Sequence, residues 1–143
     1  MAADLSTSYL GLRVRNPIIV GASPFTRTAD GVCRCAEAGA GAVVLKSLFE
    51  EQLRKDSEAL TDSMVAGEQW HSEVYEYLEA EIGLRTGPRD YVAMIREAKE
   101  RTDIPVIASI NCVRDEWWRD YAAELEAAGA DALELNTAIM PTR

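Results

Sequence analysis

The sequence predicts an α/β fold, a parallel sheet with helices packed outside it, and three observations carry that expectation. Short β-branched runs such as Ile18 to Ser23 are continuously apolar rather than alternating, the pattern of strands covered on both faces. Between such runs lie stretches with apolar residues at helical spacing, closed by a glycine. A helix-stop-strand unit also occurs twice. Glu37 to Lys46 (EAGAGAVVLK) and Ala127 to Asn136 (AAGADALELN) agree at Ala38/Ala128, Gly39/Gly129, Ala40/Ala130, Ala42/Ala132 and Leu45/Leu135.

Taken in order, Ile18 to Ser23 (IIVGAS), ended by Ser23 and Pro24, is the first strand. Thr28 to Ala38 is the first helix, with Thr28 and Asp30 as cap candidates, Ala29, Val32, Cys33 and Ala36 at helical spacing, and Gly39 as a left-handed stop. Ala42 to Ser47 is the second strand, and its apolar run ends on Lys46 and Ser47. The Glu-rich stretch at about 48–87 has no strand signal and reads as a helical insertion. Glu50 to Leu60 suits one exposed helix, and Glu68 to Glu81 another with Trp70, Val74, Tyr77 and Leu78 on one face. Pro88 opens a helix traced by Tyr91, Ile95, Ala98 and Lys99 to about Arg101. Ile104 to Ile110 is the third strand. Asp115 caps a helix with Trp118, Tyr121, Ala122 and Leu125 on its apolar face and a stop at Gly129; Ala132 to Asn136 is the fourth strand.

The order β-α-β-(insertion)-α-β-α-β demands right-handed crossovers and a parallel sheet. It suits either a doubly wound sheet or about the first four β/α units of an eight-stranded barrel, and in both the ligand sits at the C-terminal ends of the strands. A barrel needs roughly 200 residues or more. A chain of 143 residues is therefore expected to be one domain, 1–143, forming the N-terminal half of a (β/α)8 barrel. A small nucleotide-binding doubly wound domain ranks lower, because no Gly-x-Gly-x-x-Gly follows any strand.

Composition narrows the function classes. Fifteen Lys and Arg against 24 Asp and Glu give a net charge of -9, which argues against nucleic acid or an anionic membrane as partner. No apolar run approaches the roughly 20 residues that span a bilayer, and a cytoplasmic location is expected. Cys33 and Cys35 point apart on a helix, and with Cys112 and His71 they lack the paired spacing of a zinc site, so no metal is expected. Polar residues at strand ends are the features that call for an explanation: Ser23, Lys46, Ser47, Asn111 and Asn136. Each has a plain structural use as well, as a salt-bridge lysine, a turn hydroxyl or an Asx turn.

Asp4 to Tyr9 (DLSTSY), Leu10-Gly11-Leu12, Asn16-Pro17-Ile18 and Gly21-Ala22-Ser23-Pro24 resemble the N-terminal segment of dihydroorotate dehydrogenases and dihydroorotate dehydrogenase-like proteins. Ala38 to Ser47 and Ala130 to Asn136 fall where that family keeps its second and fourth strands. The resemblance implies an FMN-binding (TIM) barrel and an oxidoreductase acting on a CH-CH bond, by hydride transfer from a pyrimidine-like or related small-molecule substrate to flavin. It implies that Ala22 and Ser23 lie against the flavin, that Lys46 stands beside ring and substrate with Ser47 next to it, and that Asn136 bonds both. Asn111 is expected to face the same site. Lys46 is the residue expected to stabilise charge on flavin and substrate. Where class 1 members of that family place a catalytic cysteine after the fourth-strand asparagine, this chain reads Thr137-Ala138-Ile139-Met140-Pro141, so the base is not identified. The alternative is a truncated, non-catalytic half-barrel acting by association, as a homo-oligomer or with a missing C-terminal half.

Overall fold

Residues 3–49, 89–112 and 115–137 are described by the structure, a computed structural model. The helices expected over Glu50 to Leu60 and Glu68 to Glu81, with His71, and the helix start at Pro88 lie outside the described residues.

An antiparallel hairpin opens the chain: β1 (Thr7–Tyr9) pairs with β2 (Leu12–Val14), Thr7 opposite Val14. Its turn places Leu10 at φ 51° and Gly11 at φ 79°, both left-handed, as a two-residue hairpin of matching twist requires. The sequence signal is Gly11, overlooked because the flanking runs are only three residues long. Leu10 carries a side chain where one is costly and is 63% exposed, so it gains little by burial. Leu10→Asn is expected to raise stability by about 1 kcal/mol. A thermal midpoint no higher than the parent's would contradict this.

The main sheet is parallel throughout. It contains β3 (Ile19–Val20), β4 (Ala42–Val44), β5 (Leu48–Phe49), β6 (Val106–Asn111) and β7 (Ala132–Leu135), with α1 (Ala29–Glu37), α2 (Arg89–Arg101) and α3 (Asp115–Ala127). On one edge of β6, Val44 of β4 stands opposite Ile107 and Leu48 of β5 opposite Ile110. On its other edge β7 places Ala132 opposite Ile107 and Leu135 opposite Ile110. β4 and β5 are thus two pieces of one ribbon, and the sheet runs β3, β4/β5, β6, β7 in chain order. Doubly wound sheets reverse their order near the first strand, whereas barrel strands follow one another. The order is that of four consecutive barrel units.

Three expected boundaries are corrected here, the first being that the opening strand of the main sheet stops at Val20 rather than Ser23. The second strand stops at Val44 rather than Ser47, and Leu48 and Phe49, assigned to the helical insertion, are strand. The break has a physical cause. Leu45 still donates its N–H to Ile107 O at 2.8 Å, but the N–H of Lys46 turns to Thr26 O at 3.2 Å. The backbone of Ser109 is then served by a side chain from α2. The Tyr91 hydroxyl accepts from the Ser109 N–H at 3.0 Å and donates to the Ser109 carbonyl at 3.3 Å.

The repeated unit seen in the sequence is repeated in hydrogen bonds. Gly39 and Gly129 adopt φ 96° and 99°, which glycine tolerates best. The N–H groups of Gly39 and Ala40 bond Ala36 O and Cys35 O, and those of Gly129 and Ala130 bond Glu126 O and Leu125 O, two matching Schellman stops. Thr28 caps the start of α1 as expected, accepting from the Gly31 N–H at 3.2 Å.

Val43, Leu45, Val106, Ala108 and Ile110 point into the core between sheet and helices, against Val32, Ile95, Ala98 and Leu125. Alternation sends Ile107, Ser109 and Asn111 to the opposite face. On α3 the anchoring indole is Trp117, 5% exposed, rather than the expected Trp118, which is half-buried. Trp117 meets Tyr121 edge to face at 5.3 Å and packs on Leu48 and Cys112, so the strand that replaces the start of the insertion supplies its pocket.

Candidate functional site

Polar groups gather at the C-terminal ends of the strands, which are tied together in two pairs. After β3, Ser23 precedes a 3-10 turn (Pro24–Thr26); Thr26 is fully buried, and its hydroxyl accepts from the Ser23 N–H at 3.2 Å and donates to Ser23 O at 3.1 Å. The Thr26 carbonyl holds the Lys46 N–H, so the turn after the first barrel strand and the end of the second are tied together. Lys46 is exposed, Ser47 is half-buried, and Ala22 is exposed beside Ser23. The Ser23 Oγ is shielded from solvent and has no hydrogen-bond partner among the described residues. A shielded hydroxyl without a partner is costly, so it fits a site that a bound group completes.

The other two strand ends are joined in the same way. Asn111, the last residue of β6, donates its Nδ2 to Asn136 O at 2.8 Å, and Asn136 donates its N–H to Ile110 O at 2.8 Å. Asn111 therefore positions the segment that carries Asn136. All six residues expected from the sequence, Ala22, Ser23, Lys46, Ser47, Asn111 and Asn136, lie at the same ends of neighbouring strands.

Two polar side chains that sequence reasoning did not single out stand between these pairs. Ser109, fully buried, donates its hydroxyl to Glu134 Oε1 at 2.6 Å, and its Oγ lies 2.8 Å from the Ser47 Oγ. Their strand positions are directly opposite in the β6–β7 register. The available signal was a single polar residue inside each apolar run, Ser109 in VIASIN and Glu134 in ALEL. Beneath them, burial pushes the Tyr91 phenol up to about 12, opposed by its hydrogen bond to the Ser109 backbone and assisted by the Glu134 charge.

An FMN ring carries both donors and acceptors, and the polar set here is chemically compatible with such a group: the Lys46 cation, the Ser47 hydroxyl, the Asn111 and Asn136 amides and the shielded, unsatisfied Ser23 Oγ. Those residues would hold it. Among the described residues no helix is long and apolar enough to cross a membrane.

No family model matches the chain. Among curated proteins it is similar to the catalytic subunit of dihydroorotate dehydrogenase B (NAD(+)) of Methanosarcina mazei, 33% identical over 95% of this chain and 42% of that protein. The corresponding subunit of Methanosarcina acetivorans is 34% identical over 88% of this chain and 38% of its own length. The NAD-dependent dihydropyrimidine dehydrogenase subunit PreA of Escherichia coli (strain K12) is 25% identical over 95% of this chain and 32% of its own. The chain thus spans well under half the length of the curated relatives it matches. Among solved structures, an IMP dehydrogenase/GMP reductase-like protein from Corynebacterium glutamicum superposes with a TM-score of 0.53 at 15% identity, covering 96% of this chain and 36% of that one. That likeness concerns the fold alone, and it agrees with the strand order in giving part of a TIM barrel. By sequence, the chain resembles the N-terminal part of dihydroorotate dehydrogenase B-like proteins.

Proposed function

We propose that this chain carries the first strands of an FMN site in a dihydroorotate dehydrogenase-like oxidoreductase that acts on a CH-CH bond of a pyrimidine-like small molecule. The observation that supports it most is the convergence of Ser23, Lys46, Ser47, Asn111 and Asn136 on one end of the sheet, with the Ser23 hydroxyl lacking a partner among the described residues. The named activities of the relatives, dihydroorotate and dihydropyrimidine dehydrogenases, point the same way. A cytoplasmic role in pyrimidine biosynthesis belongs to the same reading.

FMN, when bound, supplies the acceptor for a hydride. The chain's own residues bind and orient. Lys46 brings a positive charge that offsets negative charge building on ring or substrate. The Asn136 amide offers a donor and an acceptor to a pyrimidine-like edge, and Asn111 fixes its backbone. Thr137, exposed at the end of the described residues, carries a hydroxyl that would need an activating partner to serve as base.

Gel filtration of the purified chain with excess FMN is expected to give flavin absorption co-eluting with protein. Lys46→Ala is expected to weaken that binding about tenfold, or about 1.4 kcal/mol. Flavin binding unaffected by Lys46→Ala would overturn the site, whereas a colourless peak would favour a half-barrel that holds no flavin alone.

A second reading has its own observation. Among the described residues β3 and β7 are the edges of the main sheet, and Ile18, Phe25 and Leu135 are 63%, 72% and 57% exposed. Open edges of a parallel sheet invite pairing. Association with a second copy, or with another half-barrel, would cover them. Sedimentation velocity is expected to show a concentration-dependent rise above the monomer; a constant monomer would reject self-pairing.

A further inference from the structure

The hydrogen bonds across β4/β5, β6 and β7 fix a direction. A carboxylate only accepts, and a serine hydroxyl has one proton to give. Ser109 gives its proton to Glu134 Oε1 at 2.6 Å, so the 2.8 Å contact between Ser109 and Ser47 is made by the proton of Ser47. That proton is then spent inside the protein. Ser47, half-buried at the strand end, has only lone pairs left to offer.

We propose that the Ser47–Ser109–Glu134 row makes Ser47 a pure acceptor at the strand-end site and so selects a bound ring that presents an N–H to it, the chemical class being a cyclic imide. An imide N–H is flanked by carbonyls, and the neighbouring exposed Lys46 is a pure donor suited to one of them. The inference deepens the flavin and pyrimidine reading and rests on it for the place of the site. Glu134 is a positioning residue here: it acts through Ser109, sets the polarity of the row, and need not touch the ligand. The buried position of Ser109, with its backbone held by Tyr91, keeps the row from rotating to another arrangement.

The test compares rings with and without the N–H. The probes are FMN against FMN methylated at the ring imide nitrogen, and uracil against 1,3-dimethyluracil at millimolar concentration, read by fluorescence quenching and thermal shift. The parent chain is expected to bind each N–H form at least tenfold more tightly. In Glu134→Gln the amide can donate to Ser109, the row can reverse, and the preference is expected to fall below threefold. Ser47→Ala, which removes the acceptor at a half-buried position, is expected to do the same, and circular dichroism checks that both variants fold. A preference that survives both substitutions is steric and overturns the proposal, as does equal binding by the parent or binding of no probe. Uracil discrimination without FMN binding would sink the flavin reading alone; FMN binding without discrimination would sink this inference alone.

Discussion

Gly31→Ala is expected to cost roughly 2–3 kcal/mol, the range of a badly overpacked site, and to lower the thermal midpoint by several degrees. A Cβ at Gly31 would lie 2.0 Å from Phe25 O and 3.1 Å from Phe25 C, both backbone atoms that no side-chain rotation can move aside. Alanine in place of glycine inside a helix ordinarily gains about 1 kcal/mol, and here the collision outweighs it. Relief requires shifting the 3-10 turn Pro24–Thr26, whose Thr26 carbonyl holds the Lys46 N–H. The same substitution is therefore expected to weaken FMN binding without touching a strand-end side chain. A urea midpoint equal to the parent's would show that the turn yields at no cost.

Tyr91→Phe is expected to cost about 2 kcal/mol, because it strips the fully buried Ser109 of the group that serves both its N–H and its carbonyl. It has a second signature in pH. The Tyr91 phenol is raised from 10.0 to about 12, chiefly by burial. The folded state then keeps a proton that the unfolded state releases, so this contribution is complete below pH 10 and is lost as pH rises towards 12. At roughly 1.4 kcal/mol per unit it amounts to about 2–3 kcal/mol. Urea midpoints of parent and variant are expected to converge between pH 9 and 11, as roughly half of that loss falls on the parent alone. A gap that stays constant with pH would rule out Tyr91 as the titrating group.

The sequence reading reached the fold through residues whose local chemistry and tertiary role agree. Thr28 opens α1 by capping it, Gly39 and Gly129 close helices in the left-handed conformation, and the short β-branched runs at Ala42 and Val106 are bounded by turn signals as buried strands are. The strand-end polar residues were legible for the same reason, since a lysine or asparagine closing an apolar run stands out. Where it failed, the deciding partner was distant in sequence. Leu48 and Phe49 are strand because Ile110 and Asn111 pair with them, and nothing in the two residues themselves distinguishes that from a helix start. Ser109 and Glu134 each look like an incidental polar residue until the register sets them opposite one another. Trp117 and Trp118 are adjacent and chemically identical, so only the pocket formed by Leu48 and Cys112 chooses between them.

The neighbour order of the sheet has a kinetic consequence. Each β/α unit pairs with the one synthesised just before it, so the growing chain can dock every new strand on an edge that already exists. Pairings between sequence neighbours close short loops, which keeps the contact order of a parallel sheet low and its assembly comparatively fast. The one long closure in this stretch is that between β5 and β6, which straddles the acidic segment after Phe49. Refolding is thus expected to be paced by that single joining step, and shortening the segment should quicken it more than any change within the strands.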